Sequence, residues 1–71
     1  MKPLSYREIK RKLLKAGFVI VNQNGSHVKF ARIANEATRT ATVPHHREVA
    51  GGTLRSILRQ AGLSEKEFQN L

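Results

Sequence analysis

The dipeptide Asn24-Gly25 falls between two apolar runs, Phe18 to Val21 and then Val28 with Phe30, and this arrangement constrains the fold more than any other feature. Asn-Gly favours the left-handed backbone that a two-residue hairpin turn needs, so the runs are expected to pair as antiparallel strands. A turn centred there pairs Gln23 with Ser26, Asn22 with His27, Val21 with Val28, Ile20 with Lys29 and Val19 with Phe30. Side chains alternate along a strand, which puts Val19, Val21, Val28 and Phe30 on a core face. His27 and Lys29 then share the opposite face, and a slip of one residue would exchange the two.

Helices are expected on either side of this hairpin. Ser5 and Glu8 have the spacing of a capping box, with Leu4 placed to staple onto Ile9, and a helix should run to about Ala16 before Gly17 ends it. Tyr6, Ile9, Leu13 and Ala16 form its apolar stripe, and Arg7, Lys10, Arg11 and Lys15 lie outside it. After the hairpin, Ile33 to Thr38 read as a polar turn and Arg39 to Val43 as a third strand, stopped by Pro44. His45 to Gly52 read as a connection. Thr53 to Ala61 should be helical, with Leu54, Ile57, Leu58 and Ala61 buried, Arg55 and Arg59 outside, and Gly62 as the terminator. Leu63-Ser64-Glu65-Lys66-Glu67-Phe68 repeats the staple and capping-box pattern, so a short last helix to about Asn70 follows. The expected fold class is α+β, in the order α-β-β-β-α plus a short C-terminal helix, with the helices on one face of a three-stranded antiparallel sheet.

Seventy-one residues fit a single domain spanning 1–71, and a chain of this size buries only about 60% of the surface it exposes when unfolded. There is no Cys to staple so thin a core or to supply a thiolate metal site. The sequence has neither an apolar run of membrane-spanning length nor a signal-peptide pattern, so a cytoplasmic location is the default expectation. Thirteen Lys and Arg stand against five acidic residues, all Glu, for a net charge of +8. Such a balance points to nucleic acid, an anionic membrane or an acidic protein as partner.

His27 is the leading candidate for chemistry, because histidine is the one side-chain type whose unperturbed charge change falls near neutral pH and this one sits on a surface that attracts phosphate. Cleaving an RNA phosphodiester without a metal takes a base for the 2′-OH proton, an acid for the leaving 5′-oxygen and cations for the charged phosphorane. His27 can serve as acid or base, and Lys29 is the candidate cation. Gly25 gives a phosphate room to approach the backbone, and Ser26 offers a hydroxyl and an N–H. The plainer reading of Gly25-Ser26-His27 is a solvated turn.

His45 and His46 are adjacent, so in an extended segment they project to opposite sides. They form no evident metal site with His27, since zinc usually takes three or four ligands and the hard cations want carboxylates. One of the pair is instead expected to contact phosphate or support His27. Lys10, Arg11, Lys15, Arg55 and Arg59 read as solvated helix faces that add general, salt-dependent attraction.

Gly25-Ser26-His27-Val28-Lys29-Phe30, then Val43-Pro44-His45-His46, then Gly52 through Ser64 together resemble the HicA-type toxins of bacterial and archaeal toxin–antitoxin pairs, over essentially the whole chain. The resemblance implies a fold like the double-stranded-RNA-binding domain. It also implies an mRNA interferase, a ribonuclease that cleaves messenger RNA until a HicB-type antitoxin covers its site. It puts the catalytic His at His27, matches His46 to the family's His two residues after a Val-Pro pair without giving it a role, and brings in no cofactor or metal. Family members often carry Pro where this chain has Gly51, so the start of the second long helix should be slightly looser here. Two other readings of the same residues are a non-catalytic RNA-binding module of this fold and a small basic protein that docks an acidic partner.

Overall fold

Ser5 accepts a hydrogen bond from the Glu8 N–H at 3.1 Å and so starts helix α1 (Tyr6–Lys15) in the computed structural model, which describes all 71 residues. The box is only half closed, because the Glu8 carboxylate turns along the helix to Arg11. Gly17, at φ +99°, ends the turn in the left-handed region, and the chain enters β1 (Val19–Asn24), β2 (His27–Ala34) and β3 (Ala37–Pro44). Helices α2 (Gly51–Ala61) and α3 (Glu65–Gln69) follow. The sheet is antiparallel in the order β1-β2-β3, which gives the expected α-β-β-β-α layout with a short last helix. No helix is long and apolar enough to cross a membrane.

One face of the sheet carries the core. Val28, Phe30, Ala41 and Val43 are buried there against Tyr6, Ile9 and Leu13 of α1, Leu54, Ile57, Leu58 and Ala61 of α2, and Phe68 of α3. The two long helices bury these residues because the apolar positions recur at intervals of three and four. Ser64 and Glu67 cap α3 reciprocally, as their spacing predicts. Backbone bonds in both directions between Leu4 and Val49 tie together the segments that lead into α1 and α2. Gln60 of α2 accepts the Thr42 N–H at 3.0 Å, which covers part of the free β3 edge.

The hairpin register differs from the one expected. Asn24 pairs with His27 and Asn22 with Lys29, so the turn is Gly25-Ser26 and not Asn24-Gly25. Gly25 has φ +62° while Ser26 stays out of the left-handed region, the pattern of a type II′ turn with Gly first. Both dipeptides are good turn formers, and moving the turn by one position shifts the partners by two, which preserves the faces near the turn. A bulge between Ile20 and Asn22 then reverses them: Ile20 pairs with Phe30 and Val19 with Ala31. Val19 and Val21 consequently leave the expected core for the outer face, where they are 57% and 53% exposed. Phe18, buried just before β1, fills the core instead.

The second hairpin is tighter than the polar turn expected over Ile33 to Thr38. Ala34 pairs with Ala37, leaving Asn35 and Glu36 as the two turn residues at φ +51° and +65°. Two left-handed residues define a type I′ turn, and neither is Gly here, which is why the sequence signal is weak. A left-handed residue with a side chain costs about 1–2 kcal/mol, less for Asn. Glu36→Gly is therefore expected to raise stability by about 0.5–1 kcal/mol after allowing for the extra freedom of Gly in the unfolded chain. That corresponds to a gain of about 2–8 °C in Tm by thermal unfolding, and an unchanged or lower Tm would refute it.

Helix α2 starts two residues earlier than expected, at Gly51, with Ala50 as an N-cap that supplies no side-chain bond. Met1 accounts for the glycine, because its backbone carbonyl occupies the place where a Cβ at position 51 would lie. Gly51 thus admits the N-terminal segment against the helix start, a packing reason for Gly that the sequence does not display. At the other end, Arg32 of β2 donates to the Ala16 carbonyl at 2.9 Å and lies over the Phe18 ring at 5.0 Å. Its strand partner Arg39 lies against Gly62, the left-handed residue that ends α2. Two strand arginines therefore sit at the negative ends of the two long helices, where cations are favoured.

Candidate functional site

His27 is the first residue of β2, directly after the Gly25-Ser26 turn, and it is exposed on the face of the sheet that carries no helix. Lys29 follows two residues on along the same strand, which places their Cα atoms about 6.7 Å apart on one side. Asn22 and Asn24 from β1 and Thr42 from β3 complete a shallow cleft around the two. The register explains the grouping, since Lys29 lies between Asn22 and Thr42 and His27 between Asn24 and Pro44. The lining holds an imidazole, an ammonium, two amides and a hydroxyl, with no carboxylate among them. These groups can accept and return a proton, neutralise an anion and hydrogen-bond a sugar.

Gly25 serves this cleft through its backbone. Its φ of +62° calls for Gly, and a Cβ added there would meet nothing of the protein within 4 Å, so the backbone faces open space. Ser26 contributes its carbonyl, which accepts the His45 N–H at 2.6 Å and fixes the segment after β3 to the turn.

His46 does not join His27. It lines a second cleft with Ser5, Tyr6, Arg7, His45 and Arg47. The His46 N–H bonds to the Pro44 carbonyl at 2.9 Å, so the chain bends tightly here and both imidazoles line one cleft, where an extended segment would have sent them to opposite sides. The His46 carbonyl accepts the Tyr6 N–H at 3.1 Å, and the His45 ring stacks on Tyr6 with centroids 4.0 Å apart at 31°. Burial pushes the Tyr6 phenol above its ordinary value, so it remains a neutral hydroxyl at physiological pH. No three His or Glu side chains converge anywhere on the molecule.

Sequence reasoning did not single out Asn22, Asn24 and Thr42. Their signal is parity, because each sits across from or diagonal to His27 and Lys29 once the register is known. Arg7, Arg47 and Tyr6 gave no comparable signal, since only the tertiary fold brings α1 beside the segment after β3.

Comparison with individual curated proteins returns no significant match. The sequence profile of the family described as HicA toxin of bacterial toxin–antitoxin systems matches residues 6–63, from the first residue of α1 to just beyond α2. A match over most of a 71-residue chain takes in every strand, the whole His27 cleft and all of the second cleft but Ser5, and the protein accordingly belongs to the HicA toxin family of bacterial toxin–antitoxin systems.

Proposed function

We propose that this toxin is an endoribonuclease, an mRNA interferase that needs no metal, uses His27 as its acid–base group and is neutralised by a HicB-type antitoxin. The observation that carries the reading is an exposed imidazole in line with Lys29, inside a cleft that lacks any carboxylate. In the reaction the 2′-oxygen attacks phosphorus as its proton leaves, and the bond to the 5′-oxygen breaks as that oxygen gains a proton. A 2′,3′-cyclic phosphate and a free 5′-OH result. Neutral His27 takes the first proton, or protonated His27 gives the second, and water carries the other. Lys29 offsets charge on the phosphorane, and Asn22, Asn24 and Thr42 hydrogen-bond the ribose and phosphate oxygens. DNA lacks the attacking hydroxyl, so the specificity for RNA follows from the chemistry. The test is RNA degradation in EDTA by wild type and by His27→Ala. Loss of cleavage in the variant supports the reading, and RNA bound but never shortened by the wild type would leave a binding module in its place.

The antitoxin is assigned to the same bare face. Val19, Val21 and Ile33 are exposed there beside Ala31, Ile33 at 77%, and the patch continues the sheet surface that carries His27 and Lys29. Exposed apolar patches on small soluble domains commonly mark protein contacts. An antitoxin seated on this one would also cover the cleft. Ile33→Lys is expected to weaken antitoxin binding at least about 10-fold, the effect of losing about 1.4 kcal/mol, with RNA cleavage by the free toxin unchanged. Equal affinity in a calorimetric titration would remove the patch from the interface.

A further inference from the structure

The cleft that holds His46 lies outside the chemistry just assigned, yet it gathers Arg7, Arg47 and two imidazoles around a tyrosine. We infer that it is a second RNA-contacting site, in which Arg7, His46 and Arg47 hold a backbone phosphate of the strand beyond the linkage being cleaved. The inference rests on RNA being the substrate.

One feature separates these cations from Lys10, Lys15, Arg55 and Arg59, and others suit them to an anion. Lys10, Lys15, Arg55 and Arg59 line no cleft at all, whereas Arg7 and Arg47 converge on one. Neither is spent on a carboxylate, because the molecule's one ion pair is Arg11 with Glu8. Arginine's planar fork suits phosphate oxygens, which it can engage through two parallel bonds. The cleft is also held in shape by the backbone: Tyr6 N–H to the His46 carbonyl, His46 N–H to the Pro44 carbonyl, and the Leu4–Val49 bonds beside it. The stack of His45 on Tyr6 supplies a flat, rigid wall.

Position connects the two clefts. Pro44 is the strand partner of His27, and His46 is two residues farther along. With about 3.8 Å per residue and about 5.5 Å across the strand pair, the Cα atoms of His27 and His46 are no more than about 13 Å apart. A single strand whose reactive linkage lies at His27 therefore needs only a short run of nucleotides to reach the second cleft. The His45 N–H bond to the Ser26 carbonyl makes the segment between them one rigid ledge.

The experiment measures binding of a fluorescent single-stranded RNA to His27→Ala protein, with and without Arg7→Gln plus Arg47→Gln, over a range of salt. Losing the contacts to that phosphate should weaken binding about 10-fold or more at low salt and flatten the plot of log affinity against log salt by about 0.7. Arg55→Gln plus Arg59→Gln removes the same charge from a surface without a cleft and should change the slope less. With His27 intact, the Arg7/Arg47 variant should raise KM for long RNA about 10-fold at unchanged kcat and leave a dinucleotide substrate unaffected. Equal slopes for the two double variants, or loss of antitoxin binding with RNA binding unchanged, would overturn the inference. If the parent protein neither binds nor cleaves RNA, the ribonuclease reading itself falls and this inference falls with it.

Discussion

His27→Ala is expected to lower the rate of RNA cleavage by about 10²- to 10⁴-fold, the range that a positioned acid–base group contributes. Stability should change by no more than about 0.5 kcal/mol, because the side chain is exposed and belongs to no packed cluster. Activity and folding are thus separable at this position, and circular dichroism on the same sample distinguishes a dead site from an unfolded chain. The pH dependence of kcat/KM carries further information. A bell with two limbs means that an acid and a base both act, and a single limb means that one such group does. Cleavage by the variant at the wild-type rate would remove His27 from the mechanism.

Phe30→Ala should cost about 3–5 kcal/mol, the usual penalty for truncating a fully buried phenylalanine. Phe30 is completely buried on the middle strand, between Ile20 and Ala41, with the Tyr6 ring 6.5 Å away. A chain of 71 residues has a total stability of about 4–11 kcal/mol, so this one substitution removes a large part of it. No disulfide limits the damage. Tyr6 also stacks on His45, so loss of Phe30 should loosen the second cleft along with the core. Denaturant titration measures the cost directly, and a loss below about 1 kcal/mol would mean that the core closes over the space Phe30 leaves.

Much of the fold was legible because the signals were local. The apolar spacing of Tyr6, Ile9 and Leu13 and of Leu54, Ile57, Leu58 and Ala61 specifies two helices and the faces they bury. Gly62 ends α2 in the left-handed conformation, as its position after the apolar stripe predicts. Alternation around His27 and Lys29 placed both on the bare face even with the turn misplaced by one residue, since a two-residue shift in pairing restores parity. The bulge at Val21 was not legible. Nothing in Val19-Ile20-Val21 distinguishes a strand that buries Val19 and Val21 from one that exposes them, and the choice depends on how Phe18 enters the core after Gly17.

The sequence by itself determined the element order, the two helical core stripes, the excess of positive charge and the place of His27 beside a turn, because each depends on residues a few positions apart. The tertiary structure alone decided that Gly51 makes room for Met1, that Arg32 and Arg39 lie at helix ends, and that His46 belongs with Arg7 and Arg47 and not with His27. Those facts join segments far apart in the chain, and contacts of that kind depend on how helices pack on a sheet, which local spacing does not encode.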